Sequence, residues 1–266
     1  MKTIRRSAFL GLAAAATLLT GCFDIEQSMS LERDLSGTAG FQMTVNFEPM
    51  ALMMLRMQRE MAGVKGDPTP AEIEKAKADF LASKKDKSPA DDFKAKRAEL
   101  EKSLPPGVQL LDGGAEDEGM KMRVHTRFRF DNVAKLSQIH FSPLEGAPGG
   151  SAPGAPKNPY DSPFVGLKVV DEGKTVLLTS AAVDPLKDPA VQPGGASPIT
   201  PEIQQQLAEA FKGTRIVFKI ETPMEVVESN ATRRDGRILY WEYDLASMEK
   251  MTPEQARVSI RVRLRK

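Results

Sequence analysis

Residues 120–130 alternate without error: Met120, Met122, Val124, Thr126, Phe128 and Phe130 fall on one parity, and Lys121, Arg123, His125, Arg127 and Arg129 on the other. Successive side chains of a strand point to opposite faces, so this run can bury its apolar set only in extended form. A sheet with one apolar and one polar face is expected to be mostly antiparallel. The same period runs through Ile25, Gln27, Met29 and Leu31 against Glu26, Ser28, Ser30 and Glu32. After Asp34-Leu35-Ser36-Gly37 it resumes in Phe41, Met43, Val45 and Phe47, which reads as a hairpin. Further strands are predicted at 108–111, at 167–170 and 175–179 about an Asp171-Glu172-Gly173-Lys174 turn, and at 216–220, 224–227, 238–243 and 258–264.

Helical spacing replaces this alternation after Pro49, where Met50, Met53, Met54, Met57 and Met61 recur at three- and four-residue intervals. Such a stripe suits adaptable core packing or a pliable binding surface, and packing on the chain's own sheet is the expectation. Thr69-Pro70-Ala71-Glu72 matches a capping box with proline at the first helical position, and Ser88-Pro89-Ala90-Asp91 is similar. Both openings lead into charged, sparsely apolar segments, so residues 65–104 read as a solvated helical hairpin inserted between strands. A further helix is expected after Thr200-Pro201, and the Pro/Gly-rich stretches 143–163 and 184–198 read as loops. The predicted class is α+β: a mostly antiparallel β-sheet with helices on one face and the inserted charged hairpin. Residues 22–266 are expected to form a single domain.

The chain's one cysteine, Cys22, ends Leu19-Thr20-Gly21-Cys22, and Lys2, Arg5 and Arg6 precede an apolar run from Phe9 to Leu19. That order, a positive start, a short apolar stretch and small residues before a cleavage point, is a signal peptide over residues 1–21. The tetrad resembles the lipobox of bacterial lipoproteins, which implies cleavage between Gly21 and Cys22 and acylation of the Cys22 thiol. Two or three acyl chains at roughly 0.8 kcal/mol per buried methylene would anchor the chain firmly. Arg5-Arg6 is too far from Phe9 for a twin-arginine signal, so export unfolded is expected. Phe23 stands where the inner-membrane retention signal commonly has Asp, which favours the outer membrane facing the periplasm. Removing residues 1–21 from the 266 shifts the formal charge from +1 to −2, so no nucleic-acid partner is expected.

Chemistry is harder to find. His125 and His140 are the whole imidazole supply and stand in no metal-binding spacing, and no nucleophile elbow, phosphate loop or dinucleotide fingerprint is present. Ser151 and Ser197, within the Pro/Gly stretches, lack the strand-turn-helix context that would activate a nucleophile. Asp112, Glu116, Asp117 and Glu118 flank Gly113-Gly114 without the alternating ligands of a calcium loop and read as an exposed turn. No cofactor or metal is expected. The unusual polar feature is a pair of basic strand faces, Lys121, Arg123, Arg127 and Arg129 on one and Arg257, Arg261, Arg263 and Arg265 on the other. Side by side they would form a surface for an anionic envelope lipid or polymer, with Lys121, Arg123, Arg127, Arg129, Arg261 and Arg263 as its ligands. Like charges directly opposite are costly, so the competing arrangement separates them with acidic strands such as that of Glu26 and Glu32.

Two segments resemble the LppM-like lipoprotein domain family. One is the order strand, Thr222-Pro223-Met224-Glu225-Val226, Ser229-Asn230, Asp235-Gly236 turn and the aromatic strand holding Trp241; the other is Cys22-Phe23-Asp24-Ile25 leading through Gly37 into Phe41-Gln42-Met43-Thr44-Val45. The charged helical hairpin and the two Pro/Gly loops are departures from that pattern. The resemblance implies an anchored envelope domain with no established enzymatic chemistry, one that contacts envelope lipids or glycolipids. It carries over no catalytic residue. The expected function is that of a non-catalytic lipid-anchored envelope protein, held to the membrane through acylated Cys22 and presenting a β-rich domain to an envelope lipid, an anionic polymer or a protein partner. The alternatives are a periplasmic hydrolase working on wall or lipid through carboxylates, and an assembly factor that would need the methionine stripe exposed.

Overall fold

The alternating segments do form strands, and they divide between two sheets. The computed structural model describes residues 23–84, 89–139, 167–180, 213–244 and 260–266. The signal segment, Gly21 and Cys22, His140, the loops 143–163 and 184–198, the helix expected after Thr200 and the Ser88 cap lie outside these residues.

The larger sheet contains β1 (Phe23–Leu31), β2 (Gly37–Asn46), β3 (Val108–Asp117), β4 (Lys121–Phe130), β7 (Arg215–Glu221), β9 (Arg233–Asp235) and β10 (Ile238–Asp244). Its order is β3-β4-β2-β1-β7-β10-β9, antiparallel throughout except where β1 and β7 run parallel. The smaller sheet is antiparallel, in the order β5-β6-β11-β8, from β5 (Lys168–Asp171), β6 (Thr175–Thr179), β8 (Glu225–Ser229) and β11 (Arg261–Arg265). The protein is therefore α+β with a mostly antiparallel main sheet, and the second sheet is an addition that strand patterning alone did not separate from the first.

The apolar face of the larger sheet is covered by two different bodies. Toward one end, Met29, Leu31, Phe128, Phe130, Ile220, Leu239 and Trp241 pack with Val176, Leu178, Val262 and Leu264 of the smaller sheet. Fully burying each such side chain is worth roughly 1.5–3 kcal/mol, so this seam is the main stabilising layer. Toward the other end, Phe41, Met43, Val45, Phe47, Met122 and Val124 take the helices as their cover, with Met50, Phe80 and Phe93 packed on them. Those helices are α1 (Glu48–Met61), α2 (Pro70–Lys84) and α3 (Pro89–Ser103).

The capping box at α2 is made as its sequence implies: Thr69 N–H donates to Glu72 Oε2 at 2.7 Å, and Glu72 N–H to Thr69 Oγ1 at 3.4 Å. The methionine stripe departs from the core expectation. Ala51 is the buried residue of α1 and Met50 packs on the core, whereas Met54 and Met61 are 49% and 80% exposed. The acidic run at 112–118 also differs from an exposed turn. Residues 112–117 continue β3, and a bulge between Leu110 and Asp112 turns Leu111 outward. Glycines suit the place, because a Cβ on Gly113 would sit 2.8 Å from the Phe93 ring and one on Gly114 would sit 3.1 Å from the His125 ring.

Thr222-Pro223-Met224 is the corner where the chain leaves the larger sheet for the smaller. Thr222 is buried, its N–H donates to Arg237 O at 3.2 Å, and its hydroxyl accepts from Met224 N–H at 3.2 Å. After β8, Asn230 stitches the sheets together: its Oδ1 accepts from Trp241 Nε1 and from Arg261 N–H, both at 2.8 Å.

Candidate functional site

The outward face of β4 carries Lys121, Arg123, His125, Arg127 and Arg129, as the alternation requires. Its neighbours on that face follow from the registers. Arg123 stands between Glu116 of β3 and Thr44 of β2; Thr44 pairs with Asp24 of β1, and Asp24 with Arg215 of β7. Arg123 meets Glu116 at 3.5 Å and Arg215 meets Asp24 at 3.6 Å, and all four side chains are about half exposed. These are loose surface pairs of the kind worth no more than about 1 kcal/mol each. Lys121 lies opposite Asn46 and has no ion-pair partner among the described residues.

These residues enclose a cleft of about 350 Å³, in which Lys121, Arg123 and Arg215 face Asp24, Glu118 and Gln42. The cleft sits where β1 begins, and β1 begins at Phe23, the residue after Cys22. Arg215 and Asp24 were not among the residues singled out from the sequence. Both belong to polar parities that were legible, but their meeting depends on the parallel pairing of β1 with β7, for which local patterning has no signal.

Arg127 and Arg129 lie farther along β4, Arg127 opposite Gly40 and Asp112, Arg129 opposite Thr38 and Gln109. His125 Nε2 is 3.7 Å from Asp112 Oδ2. Arg261 and Arg263 are elsewhere: β11 is in the smaller sheet, so the two stripes are not side by side in one sheet. There Arg261 pairs with Glu228 at 3.1 Å, Arg263 with Glu172 at 2.9 Å and also with Glu228, and Arg265 with Glu225 at 2.6 Å. Opposite charges across neighbouring strands are favourable where like charges are not, and here Glu225 and Glu228 of β8 supply them. For β4 the acidic neighbour is β3, through Asp112 and Glu116, and β2 separates it from the Glu26 strand.

Asp34, Glu72, Asp171, Glu172 and Glu242 are all held below the ordinary carboxylate range, chiefly by hydrogen bonds from Ser36, Thr69, Lys266, Thr175 and Arg233 respectively. Arg233 also lies over the Tyr240 ring, 3.7 Å from its centroid. Among the described residues no group of three or more His, Cys, Asp or Glu side chains is placed to hold a metal ion, and no helix is long and apolar enough to cross a membrane.

No family model and no curated protein matches this chain. Among solved structures, the folded domain of the Mycobacterium tuberculosis protein LppM is similar at a TM-score of 0.42 and 13% identity, over 92% of this chain and 91% of that one. That is a distant likeness of fold.

Proposed function

We propose that this protein is a non-catalytic, lipid-anchored component of a bacterial envelope that uses the cleft of Lys121, Arg123 and Arg215 to hold anionic head groups of the membrane carrying its anchor. The observation that supports this reading is positional. Acylated Cys22 would hold the first residue of β1 at the bilayer, and that end of β1 is where the three cations gather. With a mature chain of formal charge −2, attraction to an anionic surface has to come from such a local patch. Loose, half-exposed ion pairs can exchange a carboxylate partner for a phosphate at little cost.

The test uses the mature chain from residue 23, without lipid, and vesicles of graded phosphatidylglycerol content across a salt series. Binding should rise with anionic lipid, weaken with salt, and be lost when Arg123→Glu and Arg215→Glu are combined. Equal binding by the double variant, or binding to neutral vesicles alone, would remove the reading. The exposure of Met54 and Met61 supports a second reading, an assembly role in which α1 meets a protein partner. Combined Met54→Lys and Met61→Lys should then abolish crosslinks that form in whole cells, and unchanged crosslinks would count against it.

A further inference from the structure

A second cleft opens at the other end of the larger sheet. It has a volume of about 570 Å³ and is lined by Ser30, Glu32, Thr38, Gln109, Arg129 and Asp131. Ser30 is seven residues along β1 from Phe23, which at ~3.3 Å per residue places the cleft roughly 23 Å from the anchored end.

Both walls are locked before any ligand arrives. On one side Asp34 Oδ1 accepts from Ser36 N–H at 3.0 Å and Ser36 Oγ at 2.6 Å, and Leu35 O accepts from Val133 N–H at 2.9 Å. Leu35 itself is held at φ 67° while its side chain packs on the core. On the other side Lys135 Nζ donates to Pro106 O at 2.6 Å and Asp131 Oδ2 at 2.8 Å, and Asp131 N–H donates to Gly107 O at 3.0 Å. Gly107, at φ 88°, is required there, since a Cβ would fall 2.0 Å from Asp131 Oδ2. These bonds preform a half-open cleft of a volume that can seat a small polar ligand.

The lining selects the ligand. Ser30, Thr38 and Gln109 both donate and accept, while Glu32 and Asp131 accept, which together suit a molecule dense in hydroxyl groups. Arg129 is exposed, its cross-strand neighbours Thr38 and Gln109 are neutral, and it has no ion-pair partner among the described residues. A guanidinium in that state matches a carboxylate in a two-pronged pair. Lys135 already neutralises Asp131, so Glu32 is the carboxylate that disfavours a doubly charged phosphate while tolerating a single negative charge beside many hydroxyls. We propose that this cleft binds an acidic saccharide of the uronic-acid type, its carboxylate on Arg129 and its hydroxyls on Ser30, Thr38, Gln109 and Glu32. This site is independent of the head-group cleft at the anchored end.

The test titrates the mature protein from residue 22, acylated and in detergent, with trigalacturonate, its carboxyl-reduced neutral counterpart and inorganic phosphate, followed by calorimetry. Trigalacturonate should bind, with the neutral trisaccharide and phosphate each at least tenfold weaker. Arg129→Gln should weaken trigalacturonate at least tenfold and Gln109→Ala severalfold, with unfolding curves confirming that both variants fold. Combined Arg123→Gln and Arg215→Gln should leave this binding unchanged whatever it does to vesicle binding. No binding of trigalacturonate at millimolar concentration, equal affinity for the neutral form or for phosphate, equal binding by Arg129→Gln, or loss confined to the Arg123 and Arg215 variant would each overturn the proposal.

Discussion

Asn230 occupies a position that few other side chains could fill, because one carbonyl oxygen satisfies both the buried Trp241 indole N–H and the backbone of β11. Asn230→Ala would strand the Trp241 donor in the core, which costs about 1–3 kcal/mol, and should lower the urea midpoint while shifting tryptophan emission. Thr126 is the opposite case. It sits in the apolar parity of β4, 2% exposed, and its hydroxyl has no hydrogen-bond partner among the described residues. Thr126→Val keeps the shape and removes that unmatched group, so stability should rise by about 1 kcal/mol, read from the same urea curves. The sequence showed Thr126 in phase with its apolar neighbours but could not show what its hydroxyl meets. Glu172 yields a pH dependence. Hydrogen bonds from Thr175 and then Arg263 hold its carboxyl below the ordinary glutamate range. The folded state thus favours the charged carboxylate, and this contribution is complete above about pH 5 and lost as pH falls through the folded value. Glu172→Gln should flatten the fall in stability below pH 5 and leave the slope at pH 7 unchanged.

Elements were legible from periodicity to the extent that periodicity has a single cause. Alternation at 121–130 fixed both the strand and its faces, and the Thr69-Glu72 capping box fixed the start of α2. What alternation cannot encode is the neighbour. The basic parities of β4 and β11 look alike in sequence, yet one lies beside Glu116 and the other beside Glu225 and Glu228 in a different sheet. The acidic stretch of β3 was misread because Gly113-Gly114 normally signals a turn; here the missing side chains make room for Phe93 and His125. The helices likewise carry more structural weight than their charge suggests, since they cover one end of the main sheet. Leu100, 7% exposed on α3, belongs to the core that joins the two sheets. Leu100→Ala should cost about 2–5 kcal/mol, and a loss under 0.5 kcal/mol in denaturant titration would mean that the insertion is only solvated decoration.

For the whole molecule, the arrangement along β1 sets two polar clefts at opposite ends of one face, with only one of them at the Phe23 end of the strand. This polarity could not be read from the sequence, because it arises from the parallel β1–β7 contact that places Arg215 next to Asp24. If Cys22 carries the lipid, Cys22→Ser should move the protein from the membrane to the soluble fraction on cell fractionation, and retention would defeat the anchoring. The central claim, that the anchored end itself recognises anionic head groups, is tested most directly by sedimenting the mature, unlipidated chain with phosphatidylglycerol vesicles across a salt series, alongside the Arg123→Glu, Arg215→Glu variant. The account predicts salt-sensitive binding that the double variant loses; binding that ignores salt and survives both substitutions would contradict it.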